Sequence, residues 1–288
     1  MSERGVSVSD REQPEKVREF TFTRRDFDWV RRELQDYAGI VLAENKQDMV
    51  YNRLVSRIRA LKLKSFSEYF ALLDGSPEEF GQFINAMTTN LTAFFREKHH
   101  FDYLATRLLP AIRVQGERRL RGWSAGCSMG EEPYSIAIAL HEALSDFDQW
   151  DIRLLASDID SGVLRTAEAG VYSMERLSTI DTGVVRRAFM KGTGANAGRV
   201  RVKSHLRDMI SFRQINLMQP FPIKGPLDFI FCRNVMIYFD QPTQARLLDR
   251  FADVLAPGGV LMVGHSESPY RLTKRLRLIG GTVYQKVS

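Results

Sequence analysis

Cysteine is nearly absent. Cys127 and Cys232 are the two that occur in 288 residues, too few for a disulfide framework, so a reducing cytoplasm is the expected setting. No apolar run approaches the ~20 residues of a bilayer span, and the opening MSERGVSVSDREQPEK has no apolar stretch of the secretory kind. Direct membrane insertion is therefore not expected. Glycine (20) and proline (10) stay far below low-complexity levels, and no internal repeat is present. The five histidines, of which His99 and His100 adjoin, show no metal-ligand spacing, so no metal is expected. What the chain does have is 44% hydrophobic residues and an excess of cations, 41 Lys and Arg against 35 Asp and Glu, for a net charge of +6. There is ample material for a core, and an acidic partner is indicated; nucleic acid, a membrane surface and an acidic protein all satisfy that charge.

Texture divides the chain. Residues 1–19 are charged and poor in apolar side chains, and read as a disordered tail. Residues 20–90 carry helical periodicity throughout, in DFDWVRRELQDYAGI, NKQDMVYNRLVSRIRALKL, SFSEYFALLDG and EEFGQFINAMTTN, with Ser65 and Glu68 spaced as a capping box and Gly75 as a stop. Residues 91–118 form a linking segment and helix. From 119 to 288 short apolar runs alternate with amphipathic helical segments, the pattern of a parallel sheet with crossover helices. The predicted fold is α/β, Rossmann-like, preceded by an all-helical domain. One stretch interrupts it at about 186–206: RAFMKGTGANAGRVRVK predicts a small inserted antiparallel β-hairpin.

Within WSAGCSMGEEPYS (123–135) a strand runs through Gly126 and Gly130 into a helix. Such turns commonly cradle phosphate, yet this one lacks G-x-G-x-x-G and places Glu131 and Glu132 where a pyrophosphate would sit. Like charges at contact range cost several kcal/mol at intermediate dielectric. S-adenosylmethionine fits instead, since it has a sulfonium, an ammonium and a ribose for an acid such as Asp158, and no phosphate. The other reading of the two glutamates is ordinary pairing with the helix dipole. In FCRNVMIYF (231–239) the Asn/Asp-Pro-Pro-Tyr/Phe grip of amino-group methyltransferases is missing, and Phe231 stands where a cytosine-methylating cysteine has proline before it. Cys232 therefore reads as a buried thiol.

NLTAFFRE (90–97), WSAGCSMGEEPYS, ASDID (156–160), INL (215–217) and FCRNVMIYF together resemble the chemoreceptor glutamate methyltransferases, the CheR family. The likeness runs from about Thr21 to the C-terminus. It implies methyl esterification of glutamate side chains in chemoreceptor cytoplasmic domains, with S-adenosyl-L-methionine as donor and S-adenosyl-L-homocysteine as product. Family cofactor contacts fall on Asn90, Thr92, Arg96, Glu132, Asp158, Asn216, Leu217, Arg233 and Asn234. The acceptor, with a pKa near ~4.3, is already ionised and needs no general base. Arg96 would orient it and Tyr238 would donate one hydrogen bond, the two residues the resemblance makes catalytic. A domain-linking salt bridge for Arg96 and a packed aromatic for Tyr238 are the alternatives.

Two surfaces are candidates for partner choice. Lys46, Arg53, Arg57 and Lys64 are spaced for one face of the second helix, beside an apolar face of Val50, Leu54, Ile58 and Leu61. The resemblance assigns Arg53, Arg57 and Arg59 to receptor docking; a merely solvated face is the other reading. In the hairpin, Val200 and Val202 would face inward and Arg199, Arg201 and Lys203 outward, while Gly192, Gly194 and Gly198 let a peptide backbone approach. Some family members bind a receptor's C-terminal tail there. A nucleic-acid methyltransferase and a regulatory module that binds the cofactor without catalysis are the competing functions; a monomer is expected.

Overall fold

The computed structural model describes residues 18–287; of the tail expected over residues 1–19, residues 1–17 lie outside the described residues. Arg18 and Glu19, assigned to that tail, belong instead to the helical domain. Arg18 pairs with Asp48 at 2.5 Å, and Glu19 pairs with Arg59.

Helix α1 (Arg24–Ala38) starts at a capping box between Thr23 and Asp26 and stops at Gly39, whose φ of 71° is left-handed. Its buried residues Phe27, Val30, Leu34 and Ala38 follow the helical repeat and meet α2 (Gln47–Ala60), α3 (Phe66–Gly75) and α4 (Pro77–Met87) in one aromatic-rich core. Ser65 does cap α3 by accepting from the Glu68 amide at 3.1 Å, but the carboxylate of Glu68 returns to the amide of Lys64, not to that of Ser65, so the box is incomplete. Lys46 and Lys64 lie outside α2, which shortens the expected cationic face to arginines. Those arginines have internal partners. Arg57 grips Glu79, a carboxylate 7% exposed that also accepts from the Tyr69 hydroxyl, and Arg53 donates to the carbonyls of Met87 and Thr88 and to the Thr89 hydroxyl.

After α5 (His99–Tyr103) and α6 (Leu109–Val114) comes a seven-stranded sheet. Strands β1 (Arg119–Ala125), β2 (Asp151–Asp158), β6 (Ile210–Gln214), β7 (Leu227–Cys232) and β8 (Leu255–Val263) are parallel, in the order β6-β2-β1-β7-β8. β10 (Val283–Lys286) and β9 (Leu276–Gly280) complete that edge as antiparallel additions. Helices α7 (Glu131–Ala143), α8 (Ser161–Ala169) and α11 (Gln241–Val254) carry the crossovers. Both sheet faces are covered, so the strands read as continuous apolar runs: Phe229 and Phe231 join one core while Ile230 and Cys232 join the other. Gly122 is small because the Phe229 ring crosses it; a Cβ there would sit 2.1 Å from that ring. Strand order reverses between β1 and β7, the switch point at which open α/β sheets bind ligands.

The expected hairpin is present as β4 (Phe189–Lys191) against β5 (Arg199–Val202), flanked by α9 (Thr182–Ala188) and the single-turn α10 (Ser204–Arg207). It is larger than expected, because β3 (Val171–Ser173) pairs with the other side of β5 to make a separate three-stranded antiparallel sheet. The sequence hid β3 because three residues are too few to show a period. Val200 and Val202 are buried and Arg199 and Arg201 exposed, as alternation demands. Gly194 and Gly198, at φ of 58° and 80°, face open space, whereas Gly192 is packed against the Asn196 carbonyl.

Removing Arg57 would leave the Glu79 carboxylate buried with a hydroxyl as its remaining partner. Arg57→Ala is expected to cost about 1.5–3 kcal/mol, the range for a charged hydrogen bond. Urea unfolding followed by circular dichroism checks this; an unchanged midpoint would mean the pair is merely a surface contact.

Candidate active site

A cavity of about 530 Å³ lies beyond the carboxyl ends of β1, β2 and β7, roofed by the segment that leaves the helical domain. All nine expected cofactor contacts (Asn90, Thr92, Arg96, Glu132, Asp158, Asn216, Leu217, Arg233 and Asn234) line it, as do Tyr238 and Arg53. Arg57, Arg59 and the residues of the inserted sheet do not. The loops around it are tense: of seven non-glycine residues with positive φ among the described residues, four (Phe95, Glu97, Ser128 and Asn234) belong to them. Such conformations cost roughly 1–3 kcal/mol each and persist where surrounding bonds impose them.

Those bonds are visible. Gly126, at φ 93°, lets the chain turn off β1 against Val235, and the Gly126 and Cys127 amides both donate to the Ser157 carbonyl at 2.8 Å. The Ser128 amide then donates to one oxygen of Asp158 at 2.9 Å, and the Asp160 amide to the other at 3.0 Å. A carboxylate has about four acceptor positions, so Asp158 keeps capacity for ribose hydroxyls. Burial raises its affinity for a proton and the two amides oppose that.

Glu132 is the other acid in the lining. Burial raises its pKa, while Arg233, 3.6 Å away, and the Ser124 hydroxyl, donating at 2.7 Å, pull it back. Glu131 departs from expectation. It is fully buried and turned away from the cavity to Arg176 at 2.6 Å, and Arg176 in turn donates to the Thr92 carbonyl. One glutamate, not two, therefore lines the cavity, and the exclusion of a pyrophosphate rests on Glu132 together with Asp158.

Arg233 is almost wholly desolvated. It stands between Glu132 and Glu97, 3.6 Å from each, lies 5.7 Å from the ring centres of Phe101 and Phe231, and donates to the Arg96 carbonyl. Asn234 and its neighbours are held by Glu267. That buried carboxylate accepts from the amides of Asn234, Val235, Met236 and Gly264 at 2.6–2.9 Å, which opposes the upward push of burial on its pKa. Asn216 spends its amide on the Tyr37 carbonyl and the Met218 amide, so it braces the segment after β6 against α1. Asn90 donates to Asp160, which also accepts from the Thr88 hydroxyl and caps α8.

Sequence reading missed Glu97, Asp160, Arg176 and Glu267. Asp160 alone had a local signal, its position as an N-cap before Ser161 and Gly162. The fold also brings Glu97, His99 and His100 together, with ligand-capable atoms within 4.8 Å of one another, which their spacing did not suggest. Arg233 already supplies positive charge there. Burial and that guanidinium push His100 down to about 3, so it is a neutral imidazole, hydrogen-bonded to Thr282. Burial likewise raises the thiols of Cys127 and Cys232 well above their ordinary range.

A doubly wound sheet whose switch-point cavity is lined by carboxylates, with its buried cation already paired, suits a cationic nucleoside and defines an S-adenosylmethionine-dependent methyltransferase. Two family models match the chain: "CheR methyltransferase, SAM binding domain" over residues 90–285 and "CheR methyltransferase, all-alpha domain" over residues 25–88. Chemotaxis protein methyltransferase 2 of Pseudomonas aeruginosa is 53% identical over 267 residues, 92% of this chain and 94% of that protein. The chemotaxis protein methyltransferases of Salmonella typhimurium and Escherichia coli are each 49% identical over 251 residues, 86% of this chain and 85% of theirs. The chain belongs to the CheR methyltransferase family.

Asp158→Asn is expected to weaken S-adenosylhomocysteine binding by about 10- to 100-fold, as for one charged hydrogen bond; unchanged affinity in calorimetry would remove the ribose assignment. The pH dependence has a definite sign. Raised pKa values leave Glu132 and Asp158 partly protonated as pH falls, and a cationic donor favours their ionised forms. Binding of S-adenosylmethionine should therefore release protons, and its affinity should drop as the solution is made acidic and these carboxylates protonate. A flat profile would show that neither carboxylate meets the donor.

Proposed function

We propose that the protein converts glutamate side chains of chemoreceptor cytoplasmic domains into methyl esters, acting as a monomer in the cytoplasm. The observation that carries this reading is the pairing of Arg96 and Tyr238 on one cavity with Glu132 and Asp158: a cation and a hydroxyl for an anionic acceptor, two acids for a cationic donor. When bound, S-adenosylmethionine supplies an electrophilic methyl on its sulfonium. Glu132 and Asp158 would hold it, with Asn90, Thr92, Leu217 and Asn234 completing the walls.

The acceptor carboxylate is ionised at neutral pH, so the chain needs no base, and the neutral His100 is engaged with Thr282. What remains for the protein is to dehydrate one carboxylate oxygen and to aim it. Arg96 is exposed, and among the described residues its guanidinium has one long contact, 3.4 Å to the Leu91 carbonyl, so it is available to draw an anion in. Tyr238 is half-buried, and its carbonyl is fixed by the Val41 amide at 2.8 Å, which sets the ring's position. The cationic face of α2 is proposed to steer the acidic receptor bundle, with Lys46 just before the helix and the surface Arg59, itself paired with Glu19, presenting the exposed charge. Arg53 and Arg57 are committed to internal carbonyl and carboxylate partners, which argues against a ladder of free cations for nucleic-acid phosphates.

Incubation with purified receptor and labelled S-adenosylmethionine should incorporate methyl that mild alkali releases; alkali-stable methyl would overturn the ester. Tyr238→Phe should lower turnover by about 10- to 100-fold with S-adenosylhomocysteine affinity nearly intact, the effect of losing one hydrogen bond to a charged group. Full turnover in that variant would leave Tyr238 a packing residue.

The inserted sheet is proposed to tether receptors by accepting a C-terminal tail along β4 and the turn of Gly194 and Gly198. Tethering raises local concentration without touching chemistry. Excess free tail peptide should slow methylation of tailed receptors and leave tailless ones unchanged; equal slowing of both would rule the tether out.

A further inference from the structure

The mouth of the cavity is sorted by polarity. The acids that line it, Glu132 and Asp158, sit inside, whereas among the described residues its exposed lining includes no carboxylate. Out there stand Lys46 and Arg96, with an apolar set of Val41, Ala43, Leu91 and Ala93. Leu91 is 84% exposed and Val41 42%, both among the few large apolar side chains of the described residues that face water. Single exposed leucines are ordinary, but apolar groups gathered on the rim of a functional cavity are not. Each is also coupled to a residue assigned to the acceptor. The Val41 amide donates to the Tyr238 carbonyl at 2.8 Å, and the Leu91 carbonyl accepts from Arg96 at 3.4 Å.

We propose that Leu91 and Val41 form an apolar collar that docks on the receptor segment around the acceptor glutamate and removes water from that carboxylate. The inference rests on the methyl-ester reading above. Its occupant is the receptor itself: the collar is continuous with the acceptor's entrance, and the flanking Lys46 and Arg96 match an acidic partner. An uncharged surface beside the acceptor would seat on Leu91 and Val41 and leave the carboxylate facing Arg96 and Tyr238 in a drier setting, where each hydrogen bond counts for more. A charged neighbour at the same place would have to be desolvated against the collar and would be rejected. Specificity for the acceptor's surroundings would thus lie on residues that never touch the transferred methyl.

Both side chains are exposed, so polar replacement should leave folding intact. Leu91→Ser and Val41→Ser are expected to raise the KM for receptor by about 5- to 20-fold each, in line with partial burial of one aliphatic side chain. S-adenosylhomocysteine affinity in calorimetry should stay within about twofold, and Leu91→Met should restore the wild-type KM. The Leu91→Ser effect should persist at high salt, whereas that of Lys46→Ala should fade, since screening acts on charge. Three results overturn the collar: wild-type KM in both serine variants, lost donor affinity in step with receptor affinity, or failure of methionine to rescue. Wild-type enzyme run in parallel separates the two readings. If it places no alkali-labile methyl on receptor, the methyl-ester reading fails; if it does while the serine variants match it, the collar alone fails.

Discussion

The segment from Thr88 to Glu97 is held at each end by a buried charge, and the cavity exists because of those two fastenings. At one end Asp160 accepts from Thr88 and Asn90 while its other oxygen caps α8. At the other, Arg233 donates to the Arg96 carbonyl and stands beside Glu97. Both anchors come from the carboxyl ends of sheet strands. The helical domain is thereby drawn over the switch point, and Thr92 and Arg96 are carried above the donor pocket. Arg53, reaching from α2 to the carbonyls of Met87 and Thr88, secures the same segment from the helical side.

Burying charge is expensive, and the site offsets the expense by pairing each group with a rigid partner. Arg233 has two acids and two aromatic faces. Glu267 has four backbone amides, which hold Asn234 in its left-handed turn and fix the direction of the chain toward Tyr238. Such a carboxylate is positioned before any ligand arrives, so little reorganisation remains for the reaction. Strained backbone at Phe95, Glu97, Ser128 and Asn234 is tolerated for the same reason: neighbouring bonds over-determine it.

Charge sorting then gives the cavity its direction. Carboxylates at the floor suit a cationic donor, and cations with apolar groups at the mouth suit an anionic acceptor that must shed water. A phosphate-bearing cofactor would meet the wrong sign at the floor, and a general base would be superfluous with an acceptor already ionised.

Helices, parallel strands and the glycine turn were legible in the sequence because each is fixed by short-range period or by backbone freedom at one residue. The acidic lining of the cavity was legible too, since Glu132 lies in the first turn of the helix after the glycines and Asp158 ends the next strand. Two local readings failed instructively. Glu131 adjoins Glu132, yet successive helical residues point about 100° apart, and Glu131 finds Arg176 instead of the ligand. The cationic ladder of α2 was real in spacing, but Glu79 and the carbonyls after α4 had claimed Arg57 and Arg53. Partners such as Glu97 with Arg233, or Glu267 with the Asn234 turn, are 136 and 33 residues apart in the chain, and no local pattern joins them. By itself, then, the sequence determined the elements, the parallel sheet and the acidic lining of the cavity. Which buried charges meet, which partners the arginines of α2 take and how the roof is fastened were decided by tertiary structure, because desolvated ion pairs depend on distances that only the closed fold sets.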